Sequence, residues 1–414
     1  MYILRSTPNV NAWNASFVSL RTVVATRPDS SDWPQQRAIV LSETNRIQSN
    51  SIESNGLTDE RMKTSSSSSS CSSSSTTTSS IEDAYNNLRR RTREHGLPYK
   101  IRRIRIERGL TDLLPYVLRK EPVILTNIVS TWPCAKKWNK TYLENTIGTD
   151  TQVSVNFTPN GLGDAVEEDV FVLPEERIIK FGEFVSGLEK TSDGTDDDDD
   201  DKSVNQEVMY LSHQNDSLRT QFPMLRKDVP EQAVPWAEDI FGELDAVNLW
   251  IGHSNARSSL HKDHYENMYA VVRGEKIFTL FAPSDVPFLY EACEFPVSQY
   301  VRNPKTDRFD AVPKLNADGT RMHTQWIPID VRRPNLQRYP KFAMASSITC
   351  RVRAGEMLYL PSMWYHHVEQ ADWTVAVNYW YDMVFGFDYI YHSFVQDMTS
   401  ALKGKEDDES SSST

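Results

Sequence analysis

From Val247 to Asp382 the chain is a succession of short segments that alternate apolar and polar residues, with Gly or Pro at most of the joins. VNLWIG, SSLHKD, NMYAVVRG, EKIFTLFAP, SITCRVRAGEMLYLP, WYHHVEQ and TVAVNYWYD all follow this pattern. A period of two places every second side chain on the same face of a strand. Many short strands joined by turn signals close into a small barrel or jelly roll. The expected class is therefore mainly β with flanking helices, and the expected core spans residues 247–386. RGE around Gly274 reads as a hairpin turn within it.

Several of these segments carry charge where a buried strand should not. LHKDHYENMYAVVRGEK, residues 260–276, holds His261, Asp263 and Lys276. An inward charge is costly unless it is paired or bound to a metal. His261 and Asp263 are two residues apart and face one way, while Lys262 faces the other. A lone HxD carries little weight. YLPSMWYHHVEQ, however, supplies His366 and His367 on a strand that can lie opposite. Two histidines and one carboxylate make the facial triad of a non-haem Fe(II) site, which leaves open positions for a cosubstrate and oxygen. Zinc favours four-coordinate sites richer in Cys or His. Lys276 shares a face with Phe278 and Leu280, and a long cation there suits the distal carboxylate of an organic diacid. Asn267 and Tyr269 share a face of the preceding strand, and Asn378 alternates in phase with Ala376.

The rest of the chain frames this core. Residues 64–80 read TSSSSSSCSSSSTTTSS and cannot bury enough apolar surface to offset their ordering entropy. Residues 1–80 are expected to be a disordered extension, with a faint mitochondrial-targeting character in the acid-free first 28 residues. Ile81–His95 reads as a short helix with a basic end, EPVILTNIV from Glu121 as a buried strand, and QVSVNF at 152–157 as an alternating one. Together they place an α/β region at 81–246, ahead of the core. TSDGTDDDDDDKS, with its acidic run at 193–201, reads as a solvated surface loop. Ile390, Phe394, Met398 and Leu402 recur every four residues, which predicts a helix over 387–403 with one apolar stripe, packed on the body or on a partner subunit. A polar tail follows at 404–414. The net charge of −12 contains six aspartates of one run, Asp196–Asp201, so direct nucleic-acid binding is not expected. The four cysteines are scattered and read as reduced thiols of an intracellular protein. No stretch approaches the roughly 18 apolar residues of a membrane span.

LHKDHYEN…VVRGEK, followed by GEMLYLPSMWYHHVEQ…VAVNYWYDM, resembles the jumonji-C family of iron- and 2-oxoglutarate-dependent oxygenases, within its small hydroxylase branch. The likeness covers roughly residues 95–403. It implies a double-stranded β-helix, cupin-like core. It implies His261, Asp263 and His366 as Fe(II) ligands, with His367 facing away, and Lys276 as the partner of the C5 carboxylate of 2-oxoglutarate. Tyr210, Ser258, Asn267 and Asn378 match hydrogen-bonding positions around that cosubstrate, Ser258 standing where threonine is more usual. The implied reaction couples oxidative decarboxylation of 2-oxoglutarate by O2, giving succinate, to hydroxylation of an unactivated C–H bond.

The resemblance further implies a protein substrate, a lysine hydroxylated in the 3S sense in a translation-factor-related GTPase of the developmentally regulated type. Glu266 and Asp382 are candidates to receive that lysine's ammonium. Other activities proposed within the branch are cleavage of histone tails at methylated arginine, by endo- or aminopeptidase action, and histone demethylation. A catalytically dead scaffold is disfavoured by the complete triad. A homodimer and a cytoplasmic, additionally nuclear, location complete the expectations.

Overall fold

A computed structural model describes residues 80–190 and 207–411. The serine-rich extension up to residue 79 and the acidic run at 193–201 lie outside the described residues. Eight strands build the core: β1 (Leu244–Gly252), β2 (Arg257–His261), β3 (Tyr265–Arg273), β4 (Glu275–Phe281), β5 (Ser347–Arg353), β6 (Met357–Leu360), β7 (Tyr365–Gln370) and β8 (Thr374–Asp382). They divide between two facing sheets, and every successive pair but β4 and β5 crosses from one to the other. One has the order β6-β3-β8-β1 and the other β5-β4-β7-β2, each with antiparallel neighbours. This is the double-stranded β-helix, a form of jelly roll in which the chain crosses repeatedly between two sheets, staying within one only from β4 to β5.

That topology corrects one reading. Gly274 joins β3 to β4, but the two strands belong to different sheets and do not pair with each other. The turn is a corner rather than a hairpin. It requires glycine, because φ is +74° and a Cβ would lie 2.6 Å from the carbonyl oxygen of Trp373.

Segments from the region ahead of the core extend its sheets. Val123–Leu125 pairs with β6, and Arg102–Ile104 pairs with Val123–Leu125. On the opposite edge Val208–Leu211 pairs with β1, followed by Gln152–Thr158 and then Glu175–Lys180. The larger sheet thus has nine strands. Only Val123–Leu125 of EPVILTNIV is strand; Val129–Thr131 is a 3-10 turn.

Alternation sorts the apolar residues onto three surfaces. Trp250, Tyr269, Phe278, Leu358 and Val368 fill the space between the two sheets. Val247, Met268 and Tyr379 face outward from the larger sheet, against Trp132, Phe184 and Phe222 of the N-terminal region. Leu260, Phe281 and Tyr365 face outward from the smaller sheet, against Val286, Leu289 and Ile329. The smaller sheet is therefore covered by the connection between β4 and β5.

The C-terminal helix runs Phe387–Ser411, beyond the tail boundary expected at residue 404. A single glycine, Gly404, costs a helix about 1 kcal/mol and does not end this one. His392 and Val395 pack on the body. The apolar stripe does not: Ile390, Phe394 and Met398 are 57%, 58% and 46% exposed. No helix of the described residues is long and apolar enough to cross a membrane. Cys134, Cys293 and Cys350 are unbridged.

Candidate metal and cosubstrate site

His261 ends β2, Asp263 follows it in the turn to β3, and His366 lies on β7, directly opposite His261 in the register. The three side chains converge at one mouth of the barrel. Asp263 Oδ2 lies 3.5 Å from His366 Nε2 and 4.0 Å from His261 Nε2, and one donor atom from each residue falls within 4.8 Å of the others. Donors bound about 2.1 Å from a common ion sit roughly 3 Å apart, so a small inward rotation closes the set on a metal.

The backbone has already chosen the tautomers. His261 Nδ1 donates to the Ser259 carbonyl at 2.7 Å and His366 Nδ1 to the Trp364 carbonyl at 3.0 Å. Both Nε2 lone pairs are thereby left to face the centre, the arrangement that orients metal-bound imidazoles. Burial and the neighbouring His366 depress the His261 pKa to about 4, which favours the neutral, ligating form. Burial opposes ionisation of Asp263, but the His366 ring 3.5 Å away and the His261 ring beside it outweigh burial and hold the carboxyl below its usual range. Two imidazole nitrogens and one carboxylate oxygen fit a divalent ion and leave half of an octahedral shell free.

His367 is elsewhere. It faces the outside of β7, with Nε2 3.9 Å from Glu369, as alternation requires.

Lys276 is inside the barrel and only 1% exposed. Its Nζ donates to the Tyr210 hydroxyl at 2.9 Å, and no carboxylate among the described residues forms a salt bridge with it. Burial depresses its pKa to about 7. A lysine without an acidic partner in such a place is primed for an anion. Asn267 and Asn378 lie across the same cavity. Trp250 Nε1 donates to Asn378 Oδ1 at 2.8 Å, and Asn378 Nδ2 donates to Asn267 Oδ1 at 3.3 Å. The chain of bonds fixes both amides.

Ser258 reaches the cavity with His261 despite the odd spacing. Strict alternation would oppose the two residues, but Ser258 pairs with Val368 and His261 with His366, so β2 carries one extra residue, a bulge. His261, Asp263, His366, Tyr210, Ser258, Asn267 and Asn378 thus line one cavity, and Lys276 reaches it through its hydrogen bond to Tyr210.

One expectation fails. Glu266 alternates with Asn267 and points away from the cavity. It is buried, ion-paired to Lys120, and accepts hydrogen bonds from Tyr359 (2.7 Å) and Ser362 (2.8 Å). It has no capacity for a substrate ammonium. Asp382, in phase with Asn378, is exposed at the end of β8. Two residues of the site were not anticipated. Trp250 shares a face of β1 with the cavity and was legible in VNLWIG by alternation. Trp326 stacks on His261 with rings 6.3 Å apart, and comes from the β4–β5 connection, where no local pattern marks it.

The cupin-like domain family matches residues 114–387. The chain is 38% identical over 290 residues to the human bifunctional peptidase and (3S)-lysyl hydroxylase JMJD7, covering 69% of this chain and 85% of that protein. It is 37% identical over 346 residues to JmjC domain-containing protein E of Dictyostelium discoideum, covering 78% and 95%. To lysine-specific demethylase JMJ32 of Arabidopsis thaliana the identity is 36% over 351 residues, covering 79% and 96%. With the double-stranded β-helix and its His-Asp-His cluster, these likenesses make the chain a member of the jumonji-C family of cupin-like, Fe(II)- and 2-oxoglutarate-dependent oxygenases.

Proposed function

We propose that this protein is a protein lysyl hydroxylase that uses Fe(II), 2-oxoglutarate and O2, and that it adds a 3S hydroxyl to a lysine of a translation-factor-related GTPase of the developmentally regulated type. The observation that carries the oxygenase reading is the pairing of an open His-Asp-His cluster with a buried lysine that lacks an acidic partner. The bound ion and cosubstrate supply the oxidising chemistry, in which R–H, 2-oxoglutarate and O2 become R–OH, succinate and CO2. The chain's own residues bind and orient. His261, Asp263 and His366 hold the ion; Lys276 and the Tyr210 hydroxyl take the distal carboxylate. Asn267, Asn378 and Ser258 line the cavity as hydrogen-bonding groups, and Trp250 and Tyr269 keep it dry.

The lysine specificity draws support from the rim and from the named activity of human JMJD7. Partial desolvation beside the strand end and the neighbouring Asp245 push the carboxyl of the exposed Asp382 above its usual range. Two acids crowded at the mouth are relieved by a cation, and a lysine ammonium has the required charge and reach.

A hydrolytic reading requires a carboxylate free to act as general base beside a metal-bound water. Among the described residues that line the cavity around all three ligands, the only carboxylate is Asp263, itself a ligand; Asp164 lines the adjoining pocket, on the His261 side. The exposed apolar stripe on the C-terminal helix supports a homodimer in which a second copy covers it.

The test is intact-mass analysis of a lysine peptide from such a GTPase after incubation with the protein, Fe(II) and 2-oxoglutarate. One added oxygen, dependent on both additions, supports the proposal. An unchanged or truncated peptide contradicts it.

A further inference from the structure

The three ligand residues have neighbours that alternate to the outside of the barrel, and these neighbours meet at one carboxylate. Lys262, between His261 and Asp263, is ion-paired to Glu291 Oε1. Tyr365, immediately before His366, donates its hydroxyl to Glu291 Oε2 at 2.6 Å. With its single proton committed to Glu291, the Tyr365 oxygen accepts from His392 Nε2 of the C-terminal helix at 3.0 Å. Lys262 also stands 5.3 Å from the centre of the Tyr365 ring. The cluster is largely dry: the Lys262 and Glu291 side chains are 9% and 17% exposed, and Tyr365 is fully buried.

Glu291 itself is held in place by an unusual backbone. The preceding Tyr290 has φ +58°, a conformation that bulky side chains rarely adopt and that persists where the surroundings impose it. The Tyr290 hydroxyl accepts from the Lys341 backbone N–H at 3.0 Å, and its ring packs edge-on against Tyr339.

We infer that Glu291 is the positioning residue of the His-Asp-His centre, clamping from outside the barrel the two strand ends that carry its three ligands. The inference rests on the metal-centre reading given above. The ligands come from separate segments, the end of β2 with its following turn and the start of β7. The cross-strand register fixes His261 against His366 but stops short of Asp263, whose backbone is tied to the segment before β7 by one bond, from the Met363 N–H to its carbonyl at 3.0 Å, which leaves the carboxylate side chain free to swing. A single carboxylate that grips Lys262 and Tyr365 together adds a side-chain tie between the turn and β7 to that one backbone bond. Because His392 joins the same cluster, the C-terminal helix is tied to the metal centre through Tyr365.

The test uses the full chain and Co(II) alone as probe, with the dissociation constant, the d–d spectrum and the melting temperature as readouts. Glu291→Gln should raise the Co(II) dissociation constant about tenfold, the lower end of what loss of an outer partner of a metal site costs. Tyr365→Phe should raise it in the same direction. Lys262→Met/Glu291→Gln removes both charges, keeps an acceptor for Tyr365 and leaves the net charge near the ion unchanged. This double variant should melt near wild type yet retain a raised dissociation constant and an altered d–d spectrum. If the double variant recovers wild-type affinity and spectrum along with its melting temperature, the cluster serves folding alone and the inference falls. Asp263→Ala separates this failure from that of the underlying reading: if it binds Co(II) as tightly as wild type, the metal centre itself has been misassigned.

Discussion

The Lys276 ammonium lies 2.9 Å from the Tyr210 hydroxyl, inside a barrel where it is 1% exposed. In the proposed reaction it should set the affinity for 2-oxoglutarate rather than for the ion. Truncating one partner of a buried charge pair costs about 3–5 kcal/mol, so Lys276→Ala should weaken 2-oxoglutarate binding on the order of a hundredfold or more. The affinity for the metal should stay unchanged. Anaerobic titration of the metal-loaded variant with 2-oxoglutarate measures the effect.

The same lysine makes a pH prediction. Its folded pKa of about 7 lies below the unfolded value, so between pH 7 and roughly pH 10 the unfolded chain holds more protons. The stability of the ligand-free protein should therefore rise with pH across that window, and Lys276→Met should remove this contribution. The affinity for 2-oxoglutarate should fall as pH rises above 7, with proton uptake on binding, because the dianion needs the charged lysine. Calorimetry in buffers of different ionisation enthalpy reports that proton uptake.

His366 and His367 are neighbours with opposite fates. His261→Ala, Asp263→Ala and His366→Ala should each abolish 2-oxoglutarate turnover, since each removes one of three protein ligands. His367→Ala should keep the metal. Metal analysis and succinate release decide it, and the reverse result at 366 and 367 would displace β7 by one residue.

Much of this site follows from a period of two. Alternation alone separates Lys262 from His261 and Asp263, and sets Asn378 in phase with Ala376. The same rule was available for Glu266, whose neighbour Asn267 faces the cavity, so Glu266 had to face out. Ser258 and Gly274 were opaque for a different reason. A one-residue bulge in β2 and a corner between two sheets are decided by long-range pairing, which no local pattern encodes. The exposed stripe of the C-terminal helix is legible as amphipathic, but its periodicity does not say which body covers it.

That stripe gives a prediction about assembly. Phe394 and Ile390 are 58% and 57% exposed, so Phe394→Asp and Ile390→Asp should leave the fold intact and shift a dimer to monomer. Light scattering across a concentration series detects the change. A wild-type protein that is monomeric throughout would leave the stripe to another partner.

At the rim, Asp382→Asn should raise the KM for a lysine peptide several-fold with little change in kcat, since the carboxylate holds the substrate away from the reacting carbon. Lysine-to-norleucine replacement in the peptide should erase the difference between variant and wild type. An equal loss in kcat would place Asp382 in fold maintenance instead.

The proposed reaction inserts oxygen from O2 into a lysine side chain. Running the reaction under isotopically heavy dioxygen in ordinary water, with Fe(II), 2-oxoglutarate and the GTPase peptide, tests it by mass spectrometry of the peptide and of succinate. One heavy oxygen is expected on the intact peptide, localised to lysine by fragmentation, and one heavy oxygen in the succinate. Shortened peptides carrying ordinary oxygen from water at a new C-terminus, formed without 2-oxoglutarate, would contradict it.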